Sequence, residues 1–315
     1  MASPLVSTRH ERETADLAAA SPSPFAGLEA LKLVASFGIV LFHQQIAGQA
    51  TGYAGLPAFT LLTAALAVRS ARGRDWAMYR RNRLRRLLLP WLAWSAFYAL
   101  VQCALHGYAG LPIVGWLQPS MLATGAYPHL WYLPFAACSA LVAGRFGGCG
   151  PTWAWLAAGA LALPLAGHGM SLPLPVPLPQ WLFVAPAAVL GVGLARAPLG
   201  GGNDRALGGF ALAAGAGCAL AAFLRCDALL WQYALAAPAA AVAWAVPLRA
   251  PRLLAGLGAA TFGVYVLHPF VGMMLALAAI HGGVPFTDAT LVGAIWTGAL
   301  ALTVLLRRTP LRALL

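Results

Sequence analysis

Charge is scarce in this sequence. Only 9% of its 315 residues are charged, against 61% hydrophobic, where soluble domains carry roughly 25% charged residues. That deficit excludes an ordinary soluble domain and marks a polytopic membrane protein. Lysine is all but missing: of 20 basic residues, Lys32 alone is a lysine. A net charge of +12 would suit nucleic acid only as a basic face on a soluble domain. Here the arginines sit between apolar runs, so they report topology and no nucleic-acid partner is expected. The five cysteines, Cys103, Cys138, Cys149, Cys218 and Cys226, are scattered. They form neither a disulfide framework nor a zinc-ligand spacing. The seven histidines make no H-E-x-x-H pattern, so no metal is expected. Residues 1–26 lack the basic start and short apolar core of a signal peptide and read as a disordered cytoplasmic tail.

Long apolar runs are plentiful. Ten follow the tail, at 28–49, 54–70, 87–105, 129–144, 152–167, 181–195, 206–224, 229–247, 259–280 and 290–306. Several are shorter than the roughly 20 residues a straight span needs. The proline-rich segment 172–179 is expected to be an extended loop. Arg69 closes the second run, and Arg72, Arg74, Arg80, Arg81, Arg83, Arg85 and Arg86 lie between it and the third. Arg145, Arg196, Arg205, Arg249, Arg252, Arg307, Arg308 and Arg312 mark the same side. The alternate loops, 44–53, 106–128, 168–180 and 281–289, contain no Lys or Arg, and only Arg225 breaks the pattern. By the positive-inside rule both termini are cytoplasmic. The expected fold is an all-α polytopic membrane protein of about ten transmembrane helices. It has one membrane domain over 27–308 and a short cytoplasmic tail at 309–315.

The first run carries a carboxylate, an ammonium, a hydroxyl and an imidazole. At about 100° per residue, with Glu29 at zero, Lys32 falls near 300°, Ser36 near 340° and His43 near 320°. All four share one stripe, and intramembrane ionisable groups usually face a bundle interior or wet cavity. Lys32 and His43 lie about 16 Å apart along the axis, the cation toward the cytoplasm and the imidazole toward the outer side. A snorkelling lysine and an unrelated packed histidine is the plainer reading.

Three further stretches stand out. Five arginines crowd 80–86 just before Leu87-Leu88-Leu89-Pro90-Trp91. Their paired N–H donors suit phosphate, although taken alone the cluster is better explained by positive-inside charge and anionic lipid headgroups. His129-Leu130-Trp131-Tyr132-Leu133-Pro134 opens the fourth run, where aromatics also serve as interfacial anchors. In Val264-Tyr265-Val266-Leu267-His268-Pro269, Pro269 leaves the Tyr265 carbonyl without its helical partner. A His-Pro pair at this depth marks a break lining a cavity, or a buried, hydrogen-bonded histidine.

Together these stretches resemble the integral-membrane acyltransferases of acyltransferase family 3, over most of the chain from Leu28 to about Phe270. Lys32, ten residues and His43 are similar to the family's Arg/Lys-x10-His signature. Arg83-Leu84-Arg85-Arg86 through Pro90-Trp91 resembles its basic approach to the third span. The family's usual Ser-Gly in the second span stands here as Thr63-Ala64, and Lys32 replaces the commoner arginine. The resemblance implies O-acyl transfer, with an acetyl group the expected cargo, to a glycan or lipid-linked saccharide hydroxyl outside the bacterial inner (cytoplasmic) membrane. Acyl-CoA, expected to be acetyl-CoA, would be a co-substrate, and no cofactor would be permanently bound. His43 would be catalytic, as general base or acyl carrier. Lys32, Arg83, Arg86 and Glu29 would serve the donor, and His129, Trp131, Tyr265 and His268 the acceptor side. Membrane lipids are the remaining partners. A secondary transporter is the main alternative, although the halves lack the internal repeats common there. A non-catalytic membrane scaffold would leave the polar stripe of the first run unexplained.

Overall fold

A computed structural model describes residues 25–197, 204–225, 230–246, 248–283 and 285–315. The expected tail falls largely outside them, as does Cys226. Ten helices of fifteen or more residues fill the described chain. They are α1 (Ala26–His43), α2 (Gly55–Ala71), α3 (Trp76–Tyr108), α4 (Tyr132–Phe146), α5 (Thr152–Ser171), α6 (Leu178–Leu194), α7 (Asp204–Phe223), α8 (Leu230–Ala245), α9 (Arg252–Gly282) and α10 (Asp288–Leu306). Among the described residues the β structure is one isolated bridge, Phe25 to Arg249. The chain is all-α, and each helix coincides with one apolar run.

Among the described residues six segments are long and apolar enough to cross a membrane: Ala26–His43, Gln49–Ala71, Trp76–Tyr108, Arg205–Phe223, Arg252–Gly282 and Asp288–Leu306. Leu178–Leu194 is apolar but shorter. At about 1.5 Å per residue, the 33 residues of α3 span about 50 Å, well beyond the roughly 30 Å of a hydrocarbon core. The excess is the arginine-rich beginning of the helix. Asp75 caps that end, its side chain accepting the Met78 N–H at 2.8 Å, as an N-cap carboxylate does.

Two apolar cores hold the bundle. One joins α2, α5, α6, α7 and α8 around Leu61, Phe183, Leu190, Tyr233 and Trp244. The other joins α3, α9 and α10 around Trp94, Tyr98, Val264 and Ile295. Helix α1 lies on the seam, giving Leu28 and Ala35 to the first core and Val40 to the second. The expected C-terminal tail is docked: Trp94 Nε1 donates to the Leu314 carbonyl at 2.9 Å.

Two boundaries differ from the sequence reading. The first run was expected to continue to residue 49, yet α1 ends at His43. Gln45 and Gly48 both take positive φ, 54° and 85°, which a right-handed helix cannot accommodate. That stop leaves His43 in the last turn, at the mouth of the bundle. The proline loop is shorter than expected, because α6 begins at Leu178 with Pro179 in its first turn, where a missing N–H costs nothing.

Close backbone approach fixes α1 against the turn that follows it. A Cβ added at Gly38 would lie 2.7 Å from the Gly52 carbonyl oxygen and 3.3 Å from its Cα. Gly38→Val should therefore lower stability by about 1–3 kcal/mol, the usual cost of overpacking. Thermal unfolding of detergent-solubilised protein measures this, and an unchanged midpoint would contradict the packing described.

Candidate active site

The N-terminal half of the stripe forms a pair. Glu29 is buried and its Oε2 sits 2.6 Å from Lys32 Nζ. Gly258 on α9 makes the room, since a Cβ there would meet the Glu29 Cβ at 2.9 Å. Lys32 opens onto a cavity of about 280 Å³, lined also by Ile39, Thr63, Tyr132, Phe262 and Tyr265. Ser36 keeps its place on the stripe but is engaged elsewhere: its Oγ donates to the Leu33 carbonyl at 2.8 Å and accepts Trp296 Nε1–H at 3.0 Å. It ties α10 to α1 and takes no part in the cavity.

His43 stands between two other cavities and lines both. The first, about 480 Å³, is walled by Tyr53, Trp131, Tyr132 and Tyr265, with Gln49, Gln180 and Gln232 supplying amides. The second, about 590 Å³, is lined by Gln44, Gln102, Tyr127, His129 and His268. The Lys32 cavity and the first His43 cavity share Ile39, Tyr132 and Tyr265 as a common wall. Tyr132 is held there by Thr60, whose Oγ1 donates to its hydroxyl at 3.4 Å.

The His-Pro break in α9 is closed by side chains. The Tyr265 carbonyl that Pro269 cannot serve accepts His268 Nδ1–H at 2.9 Å, and the Val264 carbonyl lies 3.2 Å from the same nitrogen. One residue on, the Val266 carbonyl accepts the Tyr98 hydroxyl at 2.7 Å. The Tyr265 hydroxyl donates to the His129 carbonyl, which ties α9 to the 3₁₀ turn Pro128–Trp131. Three imidazoles meet here, with ring centroids 5.1 Å apart for His43–His268 and 5.5 Å for His129–His268. Among the described residues no group of His, Cys, Asp or Glu is arranged to hold a metal.

The fold therefore gathers His43, His129, Trp131, Tyr265 and His268 at one end, and Glu29 and Lys32 at the other. His129 and Trp131 are buried in the bundle, so Trp131 does not serve as an interfacial anchor. The two donor-side arginines separate. Arg83 donates to Ser70 Oγ and lies over the Tyr79 ring, whereas Arg86 is exposed. Neither lines the Lys32 cavity, although Leu87 does. Sequence reasoning passed over Tyr98 and the wall role of Tyr132. Tyr98 lies outside every motif, while Tyr132 sat in the His129 motif with an interfacial explanation.

Removing only the hydroxyl in Tyr98→Phe deletes a buried hydrogen bond to the Val266 carbonyl, at a cost of about 0.5–1.5 kcal/mol. Lower thermal stability with unchanged helix content by circular dichroism is the expected outcome. Wild-type stability would show that this bond contributes nothing to the packing of α3 on α9.

Residues 25–308 match the family model Acyl_transf_3, described as an acyltransferase domain. Comparison with curated proteins and with solved structures finds no match. A match over nearly the whole chain, on an all-α fold with apolar helices, makes this a membrane enzyme that transfers acyl groups, and it belongs to acyltransferase family 3.

Proposed function

We propose that the protein moves an acetyl group from cytosolic acetyl-CoA to a hydroxyl of an extracytoplasmic or lipid-linked glycan, with ten spans and both termini cytoplasmic. The observation carrying this reading is the pair of cavities that meet at Ile39, Tyr132 and Tyr265, one opening at Lys32 and the other at His43. They give a donor and an acceptor separate approaches to one helix. The thin pantetheine arm enters past Lys32, which Glu29 holds in place. Arg86, exposed at the start of α3, meets the nucleotide phosphates, and Arg83 joins it by turning from Ser70. The saccharide enters the His43 cavity, where Trp131 offers a ring face and the glutamines offer hydrogen bonds. His129, Tyr265 and His268 complete the acceptor side. His43 takes the acceptor proton, which a neutral imidazole does well near neutral pH. The domain proper covers 27–308, in the inner membrane of a bacterium.

A general base contributes typically about 10²–10⁴ in rate. His43→Ala should insert normally and bind acetyl-CoA, because Lys32 and the arginines lie far away, yet lose acyl transfer by that factor. Mass analysis of envelope glycans together with blotting for abundance checks both halves. Transfer near the wild-type rate in a well-expressed variant would remove the mechanism.

Orientation has its own check. A reporter fused after Leu315 should read cytoplasmic and one inserted near Pro175 extracytoplasmic. The same side for both would undo the assignment of donor and acceptor faces.

A further inference from the structure

A catalytic imidazole works only if one nitrogen carries a lone pair toward the substrate, and a partner on the other nitrogen normally enforces this. Carboxylates are the usual partners. No Asp or Glu is among the described residues that line either cavity at His43, and the nearest on its helix, Glu29, is committed to Lys32 about 21 Å along the axis. Whatever orients His43 is another kind of group.

The groups facing it in the second cavity are Gln44, Gln102, Tyr127, His129 and His268. Of these, His268 alone has its acceptor atom fixed by hydrogen bonding at the other nitrogen of its own ring. Its Nδ1 sits against two carbonyls, at 2.9 and 3.2 Å, and a carbonyl can only accept, so Nδ1 carries the hydrogen. Nε2 is then a lone pair, and it is buried without a hydrogen-bond partner. A buried acceptor left unpaired is costly, and the His43 ring is 5.1 Å away between centroids, tilted 34°. A centroid separation of about 5 Å is that of two imidazoles joined edge to edge by an N–H···N bond.

We infer that His268 is the positioning residue of His43: its Nε2 accepts the His43 N–H and leaves the other His43 nitrogen as the base. This rests on the proposed function. In the transfer step the acceptor oxygen attacks the thioester carbonyl and its proton passes to the free His43 nitrogen. The carbon–sulfur bond breaks, and the departing thiolate takes that proton to give the CoA thiol. The N–H shared with His268 stays in place, so both rings end neutral, as they began.

Two conservative variants separate this role from support of the proline break. Asn at 268 keeps an amide donor near the Nδ1 position and offers nothing at Nε2, whereas Gln places an amide oxygen near Nε2. In membranes from expressing cells supplied with acetyl-CoA, thiol release should fall in kcat by about 10²-fold or more for His268→Asn. The same assay should show His268→Gln within about tenfold of wild type, with both KM values for acetyl-CoA little changed. Similar abundance of the two variants is expected. A larger loss in His268→Gln than in His268→Asn, or equal values for the two, overturns the pairing, because support of the Tyr265 carbonyl would rank them the other way. If that happens while His43→Ala is inactive, only the pairing fails. A fully active His43→Ala protein removes the proposed function and the pairing together.

Discussion

Within lipid a backbone carbonyl has no water to turn to, and Pro269 creates one such carbonyl in the middle of α9. The structure around it is arranged to answer that need. His268 bends its ring back to the Tyr265 carbonyl, and Tyr98 reaches across from α3 to the carbonyl beside it. Each of these acts has a second effect. The first fixes which nitrogen of His268 remains free. The second binds α3 to α9 and places the Tyr98 ring edge-on to His129, with centroids 5.3 Å apart. Tyr265, whose carbonyl began the sequence, uses its own hydroxyl to hold the 3₁₀ turn carrying His129. A local defect in one helix thereby organises residues from three separate parts of the chain.

Helix α1 is the other organising element, and its position explains its composition. It lies between two apolar cores, so neither flank can be charged. Its polar groups are confined to the strip between the cores and are used one at a time. Glu29 neutralises Lys32, Ser36 anchors Trp296, and His43 is placed by the abrupt end of the helix. Gly38 and Gly258 provide the close approaches that keep α1 against the following turn and α9. Small residues at helix contacts are what packing in lipid requires.

Much of this was legible in the sequence, because it depends on period and on local covalent chemistry. The apolar runs map one to one onto the ten helices. The stripe on α1 follows from 3.6 residues per turn, and the orphaned Tyr265 carbonyl follows from proline's missing N–H. What escaped reading depends on distant partners. Tyr98 is 168 residues from the carbonyl it serves, and no local pattern marks it. Ser36 has the right angle for the stripe, but Trp296, 260 residues away, decides its use. Arg83 and Arg86 are one turn apart, yet Ser70 claims one and leaves the other exposed. Periodicity places a side chain on a face; it does not say what stands opposite.

The wall of Ile39, Tyr132 and Tyr265 has an electrical meaning. In the proposed orientation it divides a cytosolic cavity from an outer one, so the described cavities form no single aqueous pore. An ion crossing a membrane exchanges about 2.3 kcal/mol per charge for every 100 mV, and an open path would let protons run down that gradient. The acetyl group of the proposed reaction is neutral and small, so its passage past two phenol rings would do no work against the field. The phosphates of its carrier, which would, never need to cross. An enzyme built this way can export chemistry continuously without discharging the membrane it sits in.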